Sequence, residues 1–169
     1  MKTSIALQTH SLTISHEECS SFGTPADEVL LVRASDAELN TLTRIEVTSE
    51  SLHRIVYVHW RVNFGGESFG ALLNEEAPTL FVGAGTLSAS IDLQNMKVVH
   101  ENLVTLFWGF QQVGQWILEL GELDCFLYDR KGSLLASAPV DPPYEYHVTD
   151  DGIRFESINY GTHWLRFPK

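Results

Sequence analysis

Glu119, Glu122 and Asp124 fall within one short stretch, LELGELDCF, with Trp108 and Trp116 close by in sequence. Carboxylates beside aromatic platforms are the equipment of sugar-cleaving sites, where one protonates the leaving oxygen and another attacks or activates water. On a strand, Glu122 and Asp124 share a face. The plainer reading is an acidic turn flanked by core tryptophans, because 22 acids in 169 residues place such triples together by chance. A second row, Tyr57, His59 and Arg61, occupies one face of IVYVHWRVNF, whose other face is apolar. Such a row could grip a carboxylate or phosphate. The plainer reading is an exposed sheet face of ordinary cross-strand pairs.

Seven histidines invite a search for metal spacing. His10 and His16 are six apart, as are His53 and His59. On a strand that spacing separates the rings by about 20 Å, too far to share an ion. His147, His163, Asp150 and Asp151 are the best remaining group and read as turn acids and surface histidines. Neither a metal nor a cofactor is expected. The chain has no G-x-S-x-G elbow, and FVGAGTLSAS lacks the third glycine of a dinucleotide loop, so Gly83 and Gly85 read as a bend or bulge. Cys19 and Cys125 lie in no recognisable catalytic context, and Cys125 reads as a small buried hydrophobe.

The elements that would carry these residues alternate with period two. Val56, Val58, Trp60, Val62 and Phe64 share one face, and Gly65-Gly66 then predicts a hairpin that sets Trp60 opposite Ala71 and Arg61 opposite Gly70. Asp151-Gly152 predicts a second hairpin, with His147 opposite Glu156. A turn over 92–95 sets Ile91 against Met96. Asp129 to Gly132 predicts another, pairing Leu127 with Leu134, and both its faces are apolar, which places it mid-structure. Ser35 and Glu38 form a capping box, so one short helix is expected near 35–45. The expected fold is all-β: a single domain over 1–169 with an antiparallel meander of about 10–12 strands, closing as a sandwich or barrel. GELDCFLYDRKGSLLAS is similar to a strand pair of a propeller blade, which makes a small propeller the alternative. The uneven spacing of Asp92, Asp129 and Asp151 argues against it.

Composition bounds the function. Net charge is −11, which disfavours nucleic acid and steers the chain toward positively charged partners. No apolar run approaches the length of a membrane span, and MKTSIALQTHSLT, which lacks a sustained apolar segment, is not expected to act as a signal peptide. A soluble cytoplasmic protein is expected. The first functional expectation is a non-catalytic acidic interaction protein for a basic partner, as toxin-immunity proteins and enzyme inhibitors are. Its contact would place acids around an aromatic centre: Glu75, Glu76, Tyr144, Glu145 and Tyr146. The alternative is a small-molecule-binding β protein or enzyme with an anionic or sugar ligand, lined by Tyr57, His59, Arg61, Glu119, Glu122 and Asp124. A homo-oligomeric assembly subunit is the third reading, should several of the tryptophans and phenylalanines be exposed.

Overall fold

A computed structural model describes residues 2–19, 29–33, 38–62 and 69–169. Among these the fold is all-β, with sixteen strands rather than ten to twelve. The first layer holds β1 (Lys2–Ala6), β2 (Ser11–Glu18), β3 (Val29–Arg33), β4 (Thr41–Thr48) and β5 (His53–Trp60), in the order β1-β2-β4-β5-β3. The second is a meander of β6 (Phe69–Asn74), β7 (Thr79–Ala84), β8 (Leu87–Asp92) and β9 (Lys97–Leu103). The third repeats that plan with β10 (Phe107–Val113), β11 (Trp116–Gly121), β12 (Asp124–Tyr128) and β13 (Leu134–Pro139). The fourth has β14 (Tyr144–Thr149), β15 (Gly152–Ser157) and β16 (Gly161–Arg166).

The sheets stack face to face, as sandwich layers do. Between the first and second lie Ile45, Val47, Val56, Val58 and Trp60 from one side and Leu80, Val82, Leu87 and Ile91 from the other. The opposite face of the second sheet carries Phe81 against Ile117, Tyr128, Phe110 and Phe126 of the third. The remaining face of the third, with Leu118, Cys125 and Leu127, packs on Ile153, Phe155 and Leu165 of the fourth. A sheet dry on both faces needs apolar or hydrogen-bonded residues at every position, and β7 is buried along its whole length. Each fully buried Phe or Leu contributes about 2 kcal/mol.

Several sequence expectations need correction. The expected 35–45 helix is replaced from Thr41 onward by β4, because Ile45 and Val47 alternate into the first core; residues 34–37 lie outside the described set. Gly65-Gly66 also lies outside it, but the pairing it predicted does not form. Trp60 pairs with Thr41, and Ala71 pairs with Val82 in a different sheet. Trp60 is nonetheless core, 3% exposed.

Three hairpins reverse where expected, with slipped registers. Ile91 pairs with Val98 rather than Met96, and Met96 takes a left-handed φ of 49° in the turn. Tyr128 pairs with Leu134, and a bulge then sets Leu127 against Ala136. Gly132 has the expected left-handed φ, 88°. In the last hairpin the loop is Asp150-Asp151, so His147 faces Arg154 and Glu156 faces Glu145. Gly152 begins the next strand, where a Cβ would stand 2.3 Å from the Leu165 carbonyl oxygen. Its glycine serves the approach of β16 rather than the turn.

Candidate functional site

The turns of all four layers gather at two ends of the stack. At one end, Glu75 in the β6–β7 turn reaches the β1–β2 turn. Its carboxylate accepts from Thr9 N at 2.8 Å, Thr9 Oγ1 at 2.9 Å, Gln8 N at 3.2 Å and His10 Nδ1 at 3.0 Å. These bonds, the Thr9 amide foremost, hold its pKa down at about 2. Its neighbour Glu76 accepts from Arg130. Asp92 accepts from the amides of Gln94 and Asn95, and Asp129 from those of Lys131 and Ser133. Glu75 and Glu76, expected at a partner surface, are therefore engaged within the fold.

The opposite end differs. The indole of Trp108 is 41% exposed and stacks on Tyr144 with centroids 5.2 Å apart and planes 4° from parallel. Tyr144 is fixed from behind: its hydroxyl donates to the Gly121 carbonyl at 2.9 Å. Glu122 leads out of that same turn, its amide donating to Leu106 O at 2.9 Å. Exposed Asp124 begins β12, and partial burial raises its pKa. Glu145 is exposed, one residue beyond Tyr144 on the outward face. None of these three acids forms an ion pair among the described residues. Tyr146 turns inward, and its hydroxyl donates to Gln111. Of PPYEY, then, Glu145 stands free, Tyr144 backs the indole and Tyr146 binds the fourth layer to the third.

Asp141 is the engaged acid of this end. It is buried and accepts from Asn159 and from the Tyr160 amide at 3.4 Å. The turn so held presents Ile158 and Tyr160, 73% and 51% exposed.

Glu119 does not join Glu122 and Asp124. It is fully buried between the second and third sheets. Its Oε2 accepts from Tyr128 OH at 2.7 Å and Ser88 Oγ at 2.9 Å. Tyr128 in turn accepts from Asn102 Nδ2 at 2.6 Å, and His100 Nε2 donates to Asn102 Oδ1 at 2.8 Å. The register shift after Ser90 builds this chain. With an uninterrupted ladder His100 would share the face of Ala89, toward the first sheet; with Val99 bulged out, His100 and Asn102 turn toward Tyr128. Burial lifts the Glu119 pKa to about 7 against these two donors. Its Oε1 has no hydrogen-bond partner among the described residues. Burial likewise raises the Cys125 thiol to about 11, an inert core position.

The Tyr57–His59–Arg61 row is taken up by the fold. His59 is 2% exposed and donates from Nε2 to Cys19 O at 2.9 Å. Tyr57 lies opposite Arg44, whose guanidinium bonds Glu46 at 2.7 Å. Arg61 pairs with Glu38 at 3.4 Å, and Gly70 lies under the ring of Phe107 rather than beside Arg61. No cluster of three or more metal-ligating side chains forms among the described residues, and Cys19 and Cys125 are not joined in a disulfide. Trp108 was noticed in the sequence only as a neighbour of the acids. The signal that could have singled it out is its place next to Phe107: on a strand one of the two must face outward.

Compared with known proteins, the chain matches no family model, and no curated protein is significantly similar to it.

Proposed function

We propose that the protein is a non-catalytic acidic interaction module that receives a basic protein partner at its Trp108 end. The observation that carries this reading is the half-exposed indole, held flat on Tyr144 at the same end of the stack as three carboxylates that form no ion pair among the described residues. A lysine or arginine laid on that face gains a cation–π contact, for which Trp is the best platform, and ionic neighbours in Glu122, Asp124 and Glu145. Ile158 and Tyr160 add apolar area at the same end. The net charge of −11 would speed the encounter and make it salt-sensitive. A cytoplasmic location belongs to this proposal, and a chain with only two cysteines, not joined in a disulfide, suits a reducing compartment; no helix among the described residues is long and apolar enough to cross a membrane.

The test is affinity capture from native lysate with the wild type and Trp108→Ala in parallel. A basic protein retained by the wild type, released by salt and lost with the variant is the expected result. Identical capture by both, or retention indifferent to salt, refutes it. The indole is a surface anchor, so the variant should cost about 2 kcal/mol of binding and leave the Tm nearly unchanged.

A further inference from the structure

At the Glu75 end, a cleft of about 730 Å³ opens between the first and second layers, walled by Thr9, Ser49, Glu50, Ser51 and Gln94, with Arg54 among its lining side chains. Arg54 shares the core-facing side of β5 with Val56 and Val58 and sits where that face reaches the rim. Its Nε donates to Leu93 O at 2.9 Å and its Nη1 to His53 O at 3.0 Å. Two of the five guanidinium N–H groups are thereby fixed, and three remain. Arg54 forms no ion pair among the described residues. The nearby carboxylate of Glu75 is committed to Thr9, Gln8 and His10. Arg54 is thus a half-buried guanidinium, oriented by two backbone carbonyls, with no carboxylate paired to it among the described residues.

We propose that this cleft binds a small polyhydroxylated molecule bearing one oxyanion, a carboxylate or a phosphate. The anion takes the free edge of Arg54 as a two-point hydrogen-bonded pair. Ser49 and Ser51 donate and accept hydroxyl bonds, and Glu50 and Gln94 accept from the ligand's own hydroxyls. The Ser49 hydroxyl already accepts from the amides of Ser51 and Leu52, which fixes the wall of the cleft. A second, smaller cleft shares Pro78 and Gln94 with it and reaches Lys131. The site lies at the other end of the stack from Trp108, and its occupancy is independent of the partner proposed there.

Isotope-edited NMR of the full chain decides it, with D-gluconate and glucose 6-phosphate as probes and glucose as the neutral comparator. Saturable amide shifts confined to 49–54 and 94, with at least one of the two anions and not with glucose, are the expected result. Arg54→Gln should weaken that binding about tenfold, and Trp108→Ala should leave it unchanged. Absence of shifts with both anions, an equal response to glucose, or undiminished binding by folded Arg54→Gln overturns the proposal. Should Arg54→Gln fail to fold, the wild-type shift map against glucose, repeated with Ser51→Ala, decides it alone.

Discussion

The two ends of the stack use the same chemistry to opposite purpose. At the Glu75 end Glu75 and Glu76 stitch turns of different layers together, and Asp92 and Asp129 accept amides within their own turns. At the Trp108 end Glu122, Asp124 and Glu145 form no ion pair among the described residues, while an indole at the same end stays half in water. Acidity by composition is thus divided into charge the fold consumes and charge it leaves outward. A sequence count of 22 acids cannot separate the two. What separates them is whether a donor, from the acid's own turn or from a neighbouring sheet, comes within hydrogen-bond reach.

The harshest way to break the contrast is to dislodge the support of the Trp108 end. A Cβ at Gly83 would stand 2.3 Å from the Phe107 ring, which is fully buried beside Trp108. Gly83→Val should cost about 3 kcal/mol and lower the Tm by roughly 10 °C in a thermal melt. An unchanged Tm would mean that Phe107 does not anchor this end.

Next in size is Glu119, which belongs to neither end. The unfolded chain ionises it above about 4.5, and the folded chain holds its proton up to about 7. Its neutral form therefore leaves stability highest below pH 4.5, and that stability is lost as pH rises to about 7. The loss should be roughly 3 kcal/mol. Glu46 and Glu75 act in the other direction, since their lowered pKa values make stability fall as pH drops from about 4.5 toward about 2. Urea unfolding across pH should show an optimum near 4.5 to 5, and Glu119→Gln should flatten its alkaline side. An unflattened profile in that variant would show that Glu119 is ionised in the fold at lower pH.

Smaller effects sharpen the comparison directly. Asp124→Lys with Glu145→Lys should weaken the captured basic partner about tenfold or more and shift stability by less than 1 kcal/mol. Glu75→Gln should do the reverse, lowering the Tm modestly without touching partner binding. If both substitutions act on the same property, the division between the ends is wrong.

Much of the fold was legible. Alternation placed Val56, Val58 and Trp60 on the core side, and the apolar faces around Leu127 put that hairpin in the middle of the stack. Which strands pair was less legible. Two glycines after Phe64 looked like a hairpin, yet β5 and β6 enter different sheets, a choice made by contacts distant in sequence. Register failed by a residue or two at each tight turn, because Gly152 answers to β16 and the turn after Asp92 closes over 93–96, with Met96 left-handed, rather than over 92–95. The acids of the site were found as a group, but their division was not, since Glu119 lies within β11 on its buried face while Glu122 lies in the turn that follows. Arg54 was missed because strand patterning treats an inward arginine at a strand end as surface.

The four layers follow one another in space in the order in which their residues are synthesised. A chain leaving the ribosome can therefore lay each new sheet onto one already in place, and every interface is closed by neighbours in time as well as in space. Damage late in the sequence would strip the outermost sheet and wet a single seam, while the earlier seams keep both of their walls.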